Sequence, residues 1–269
     1  MKFLQIALED HYNASSKERS YWSETTFEAI NELPFKDEQY WGIPFNFSKK
    51  SENILILNQK INVSIPINNK CRFIVFSHFC DSQTNETKFG QSDDYLNPVT
   101  TNPGETIAEY SVEYSNGEIQ NQKIRRRFEI SQIRSRMQSS FVSRQHQELR
   151  SLDFRGPYPD NSWGRWQTGV FVGDLPKSGK INARDDYHIR SKPPASWTIY
   201  ALEIQNPNLS IKNITLKNII DIPIGVGAIT LYNGSSHPLK HLPLQTIELT
   251  KKNNQNLDDV KVDMGVIAR

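Results

Sequence analysis

Apolar and polar positions alternate along much of this chain with a period of two, the period of a strand that is covered on one face and wet on the other. The cleanest stretch is Ile107 to Tyr114, with Ala108, Tyr110, Val112 and Tyr114 on one side and Glu109, Ser111 and Glu113 on the other. Asn116-Gly117 follows at once. That pair predicts a tight hairpin in which both central residues take positive φ, and Glu118 to Ile124 reads as its return strand. Lys60 to Ile67 alternates in the same way, with Pro66 near an edge or a strand end and Asn68-Asn69 as the turn. Trp41 to Phe47 and Asn53 to Leu57 read as short strands before it. Cys71 to Cys80 is different, being apolar on both faces. Phe73, Val75 and Phe79 point one way and Ile74, Phe76 and Cys80 the other, as in a central strand covered on both sides.

The pattern resumes at Trp197 to Ile204, turns at Asn206-Pro207-Asn208, and continues through Ser210 to Leu216 and Gly227 to Tyr232, which Asn233-Gly234 closes. Thr246 to Thr250 and Lys261 to Ile267 read as further strands. Between about 125 and 195 the alternation weakens into an Arg-rich run, two Trp residues and a cluster of Gly, Pro, Asp and Asn, with a short helix predicted near Ser139 to Leu149. A structureless loop of that length is improbable in a compact domain, so the excursion is expected to pack on the strands. Short strands with frequent turns, and no βαβ rhythm, predict an all-β fold, an antiparallel β-sandwich or jelly roll. Residues 1–39 read as a lead-in and 40–269 as a single domain carrying the excursion.

Five segments in order carry a resemblance: WGIPFNF, the Ile65-Pro66-Ile67 strand end, FIVFSHFCD, GETIAEYSVEYSNGEIQNQKI and WTIYALEIQNPNLSIKNITLKN. Together they resemble the galactose-binding-like jelly-roll modules attached to bacterial glycoside hydrolases and to some large metal-dependent hydrolases. The matching residues are His78 and Asp81, Tyr114 with Asn116-Gly117, and Trp197, Ala201, Leu202, Glu203, Asn206 and Pro207. The likeness covers about residues 40 to 220 and falls on strand and turn positions, so it speaks to fold more than to function. It implies a module that accompanies a catalytic domain. Val262 to Arg269 reads as a strand that stops abruptly, as in a fragment of something longer.

Composition narrows the classes. A net charge of +2 on 269 residues gives no nucleic-acid signature, and no apolar stretch approaches the ~20 residues that span a bilayer. Met1 to Leu8 is too short for a signal-peptide core, which favours a cytoplasmic chain or one whose leader has been removed. Cys71 and Cys80 lie at opposite ends of one predicted strand, roughly 30 Å apart. They cannot pair with each other, and two free buried thiols fit a reducing compartment. Asn-x-Ser/Thr triplets such as those at Asn13, Asn62, Asn85 and Asn213 are expected by chance in a chain this rich in Asn.

Candidate chemistry is sparse. Of six histidines only His237 and His241 have suggestive metal spacing, and Pro238 and Pro243 argue against a shared helical face. No Gly-x-Ser-x-Gly elbow occurs, and no pair of carboxylates stands out for glycoside hydrolysis. His78, among apolar residues, is expected as a hydrogen-bonded core histidine, with lining a site as the alternative. Residues 124–150 hold seven Arg against two Glu, a local excess of +5. Arg125, Arg126 and Arg127 in this run are candidates for an anion-binding surface, and the bland alternative is a solvated face paired with acids elsewhere. Trp163, Arg165, Trp166, Asp185 and His188 put aromatic and hydrogen-bonding groups on predicted loops, the combination that grips a sugar ring. The alternative is that both Trp side chains close the core.

The chain is therefore expected to be a non-catalytic carbohydrate-binding or accessory module, partnered by a carbohydrate or by an attached hydrolase domain. No cofactor is expected, and the sequence gives no support for a structural Ca²⁺. Two other readings stay open: an N-terminal fragment of a metal-dependent hydrolase whose catalytic residues lie outside this chain, and an interaction domain that docks through its basic run.

Overall fold

The computed structural model describes residues 2–40, 42–58, 62–81, 105–126, 128–133, 142–144 and 195–239. In chain order these form β1 (Phe3–Gln5), α1 (Glu24–Ile30), β2 (Glu38–Tyr40), β3 (Ile43–Phe45), β4 (Leu55–Leu57), β5 (Asn62–Asn69), β6 (Phe73–Cys80), β7 (Thr106–Tyr114), β8 (Ile119–Arg125), β9 (Val142–Arg144), β10 (Thr198–Glu203), β11 (Ile211–Asn218) and β12 (Ile224–Tyr232). One sheet runs β1-β12-β6-β10-β9, with β4 also laid against β12, and a second runs β5-β11-β7-β8. β2 and β3 form a small ribbon of their own, and every pairing between these strands is antiparallel. The fold is the antiparallel β-sandwich that the alternation predicts. The strands expected at Thr246–Thr250 and Lys261–Ile267 lie outside the described residues.

The two sheets enclose one core. Tyr110, Val112 and Tyr114 of β7 and Ile214 and Leu216 of β11 face Ile74 and Phe76 of β6, Leu202 of β10 and Ile229 and Leu231 of β12. The polar side of the second sheet stays outside, where Lys212 reaches across to Glu113 at 2.7 Å.

The other face of the first sheet is buried as well. Phe73, Val75 and Phe79 of β6, Ile199 and Ala201 of β10, and Ala228 of β12 pack with Trp22, Ile30, Phe45, Phe47 and Trp197. A third layer, built from α1, the β2–β3 ribbon and the chain around Ala14 and Trp22, therefore covers that face. All eight residues of β6 are buried, as a sequence that is apolar on both faces demands.

Residues 1–39, expected as a lead-in, contribute two parts of this architecture. β1 pairs with β12, Phe3 opposite Tyr232. α1 is a seven-residue helix capped by Ser23, whose hydroxyl accepts from the Thr26 N–H, with Glu24 in the favourable first turn. Its Ala29 and Ile30 are buried against the sheet. The helix expected near Ser139–Leu149 is corrected in part, because Val142–Arg144 is a strand paired with β10. Only that tertiary pairing marks it; three residues carry no local signature.

The Asn116-Gly117 turn also differs from expectation. Of the two, Gly117 alone has positive φ, at 88°. The Gly117 N–H donates to the Tyr114 carbonyl, and the Tyr114 N–H donates to the Glu118 carbonyl. This is a three-residue connection, a type I turn followed by a left-handed glycine, rather than the two-residue form with both residues left-handed.

Gly227 solves a packing problem. It is the extra residue where the β12 register slips between Val226 and Ala228, and its carbonyl accepts from the Tyr12 hydroxyl at 2.8 Å. A Cβ there would lie 2.5 Å from the Trp197 ring and 2.9 Å from Phe47. Trp197 is itself stacked on Phe47, ring centroids 5.1 Å apart, so neither ring has room to yield. Gly227→Ala is expected to destabilise the fold by about 2–3 kcal/mol through overpacking. Gly117→Ala, where nothing lies within 4 Å of the added carbon, should cost only about 1 kcal/mol, from backbone strain. Urea unfolding of the two variants would check the order; equal losses would show that the Trp197 contact is not the constraint.

Candidate functional site

A group of buried polar residues, among them His78, Arg126, Glu129, Ser131 and Thr198, gathers at one end of the sandwich. There the β6–β10 ladder runs as far as His78 opposite Thr198, and beyond it residues 131–133 enter between the two strands. The Cys80 N–H donates to the Ser131 carbonyl and the Ser196 N–H to the Ile133 carbonyl. The segment passes from one side of the sheet to the other: Ile130 is buried in the core between the sheets, and Ile133 in the core under the third layer. It plugs the end of the sandwich.

His78 holds the plug in place. Its Nε2 lies 3.0 Å from the Glu129 carbonyl and its Nδ1 2.9 Å from the Tyr110 hydroxyl. A carbonyl only accepts, so the network assigns the proton to Nε2, and Nδ1 accepts from Tyr110. One imidazole on β6 thus ties the opposite sheet, through Tyr110, to the backbone of the plug. The ring lies beside those of Phe76 and Tyr200, centroids 5.9 and 6.3 Å away, and nearly parallel to both. Burial pushes the His78 pKa down to about 4, only partly offset by the bond to Glu129. Burial likewise raises the hydroxyl pKa of Tyr110 and Tyr200, so all three groups stay uncharged at neutral pH. The expectation of a hydrogen-bonded core histidine describes this residue.

Two arginines flank the plug and do different things. Arg125 grips Glu129 side-on, with Nε 3.0 Å from Oε2 and Nη2 2.5 Å from Oε1, while its own N–H donates to Oε2 at 2.8 Å. The Glu129 side chain is only 3% exposed, whereas that of Arg125 is 37% exposed. The Arg125 guanidinium also lies over the Phe128 ring, 4.7 Å from its centroid. Arg126 is 1% exposed, with Nε 3.4 Å from Glu105 Oε2 and Nη1 3.7 Å from Cys80 Sγ. The expected anion-binding surface is corrected at Arg126, which is an interior residue, and Arg127 lies outside the described residues. Of these two arginines, Arg125 is the one that presents charge to solvent.

Asp81, immediately after β6, is nearly buried and accepts from both the N–H and the hydroxyl of Ser23, at 2.7 and 2.5 Å. It fastens the helix cap of the third layer to the same end of the sandwich. Cys71 and Cys80 are free and buried, and burial pushes the Cys71 thiol up to about 12. His237 stands edge-on to Phe73, 5.2 Å away, and accepts from the Leu239 N–H through Nδ1. Among the described residues no three His, Cys, Asp or Glu side chains converge as a metal site would require. Trp163, Arg165, Trp166, Asp185 and His188 lie outside the described residues. Sequence reasoning misses the plug, whose only local signal is the buried-type pair Ile130 and Ile133 within an otherwise polar run.

The histidine makes stability depend on pH. In the unfolded chain the imidazole takes a proton below about pH 6.5, but in the folded protein only below about 4. The unfolded state binds more protons within that window, so this contribution is complete above pH 6.5 and is lost as the pH falls toward 4. Over the whole window the loss amounts to about 3 kcal/mol. The difference in unfolding free energy between the protein and His78→Gln, measured by urea titration from pH 7.5 to 4.5, should shrink as the pH falls. A pH-independent difference would rule this out. Comparison of the chain with protein families, with characterised proteins and with solved structures found no match, so the likeness to galactose-binding-like modules rests on its five sequence segments.

Proposed function

We propose that this chain is a non-catalytic carbohydrate-binding or accessory β-sandwich module that binds through the connections at its plugged end. One observation carries the reading: both long connections are rooted there. The first spans residues 82–104, between Asp81 and Glu105. The second spans 145–194, between Arg144 and Ala195, and contains Trp163, Arg165, Trp166, Asp185 and His188. Their roots are neighbours. Arg144 pairs with Thr198, Thr198 with His78, and the Arg126 N–H donates to the Glu105 carbonyl. Loops rooted on one rigid end of a sandwich are where such modules place their contacts. In this reading the flat faces of Trp163 and Trp166 pack on the C–H face of a sugar ring, and Arg165, Asp185 and His188 meet its hydroxyls. A catalytic domain joined to the module, or met as a partner, would supply the chemistry.

A glycan array probed with the full chain, followed by thermal shift against neutral and anionic sugars, tests this. Saturable binding is expected, weakened about tenfold or more in Trp166→Ala, equivalent to about 1.4 kcal/mol, with the unfolding midpoint unchanged. A flat response to every sugar would reject the carbohydrate reading.

A further inference from the structure

The chain holds two Asn-Gly pairs, Asn116-Gly117 and Asn233-Gly234, and both asparagines are exposed. Such a pair can react with itself. The glycine nitrogen attacks Cγ of the asparagine, and the absence of a β-carbon on glycine leaves the approach unobstructed. Nδ2 leaves as ammonia, taking the proton that the glycine nitrogen gives up. Water then opens the cyclic imide at either carbonyl, giving aspartate or isoaspartate. Nothing is oxidised or reduced, and water is the co-reactant. The reaction needs a glycine nitrogen that can lose its proton and turn toward Cγ.

The fold withholds that nitrogen at one pair and not at the other. In the β7–β8 turn the Gly117 N–H donates to the Tyr114 carbonyl at 3.0 Å, and the Tyr114 N–H donates to the Glu118 carbonyl at 2.9 Å. Asn116 Oδ1 also accepts from the Glu118 N–H at 3.1 Å. That donor polarises the amide carbon, but it fixes the side chain as well, and the proton on the nucleophile stays with Tyr114. Attack must wait until the turn opens.

At the end of β12 the bonds fall elsewhere. The Asn233 N–H donates to the Lys2 carbonyl at 2.9 Å, which anchors the peptide group before the asparagine rather than the one after it. Asn233 Nδ2 reaches the Lys70 carbonyl at 3.3 Å, longer than the usual N–H···O range. Among the described residues the Gly234 N–H donates to no group. Ser235 and Ser236 beyond it are exposed.

We propose that Asn233 is a site of spontaneous deamidation in the folded protein, while Asn116, in the same dipeptide, is protected by its turn. The product places a carboxylate where Nδ2 now meets the Lys70 carbonyl. The isoaspartyl form also adds a main-chain carbon between Tyr232, the last residue of β12, and Leu239, whose side chain is buried in the core under the third layer.

The test is peptide mapping by mass spectrometry of the full chain after incubation in mildly alkaline ¹⁸O-labelled water, folded or unfolded in urea. Digestion in ordinary water leaves any conversion during handling unlabelled, and circular dichroism checks that the folded sample stays folded. In the folded chain Asn233 is expected to convert at least tenfold faster than Asn116, which corresponds to a turn opening that costs about 1.4 kcal/mol or more. In urea, where the turn is open, the two rates should converge. A folded-state preference for Asn233 below tenfold, or no conversion there, overturns the proposal. A tenfold preference that persists in urea overturns it too, by tracing the difference to neighbouring side chains rather than to the fold.

Discussion

A strand buried on both faces can leave no polar group to water, and β6 is such a strand from Phe73 to Cys80. His78 in its midst must therefore be uncharged and must find both partners inside the protein. It finds one on the opposite sheet and one on the backbone of the plug. Much of the rest follows from that requirement. The tautomer is set, the plug is drawn up to the end of the sandwich, and Glu129 arrives beside Arg125 with its side chain buried and its charge matched.

Burial of the second face explains the N-terminal part of the chain. A sheet this apolar on its outer side would aggregate if exposed, and residues between Ala14 and Phe47, α1 among them, cover it. The cover is fastened by polar ties at its margins: Ser23 to Asp81, the Ser16 N–H to Asn53, and Asn13 to both the N–H and the carbonyl of Ile56. At Gly227 the missing side chain leaves room for the Trp197 and Phe47 rings, while the Tyr12 hydroxyl donates to the glycine carbonyl. The edges of the second sheet are protected in a different way. β5 carries Pro66, while on β8 the Gln122 side chain donates to the Lys123 carbonyl and Glu129 takes the Arg125 N–H. These devices blunt strand edges that would otherwise recruit another chain.

The plugged end is also where the described residues flanking 82–104 and 145–194 come together. There Glu129 grips the Arg125 guanidinium, and the Arg125 side chain stays partly exposed. Charge counted along the sequence makes Arg125 and Arg126 look alike. Burial separates them, since Arg126 meets Glu105 inside the protein while Arg125 faces outward past Glu129.

The strands themselves are legible in the chain, because a period of two records which face of a strand is covered, and it does so locally. β7 is buried and open at the positions its alternation indicates, β6 is buried throughout as its doubly apolar pattern requires, and the turn at Asn206 forms with the Leu209 N–H donating to the Asn206 carbonyl. The turn at Gly117 is legible in place but not in type, since loop length depends on how the strands are paired. What only the tertiary structure decided are the features made by residues distant in sequence: the pairing of β9 with β10 and of β1 with β12, the third layer, and the plug. Period-two patterning says that a face must be covered and not by what, for any apolar surface of the right shape satisfies it. The same limit applies to the candidate site. Residue types marked the Arg-rich run, whereas the difference within it between the partly exposed Arg125 and the buried Arg126 was set by burial.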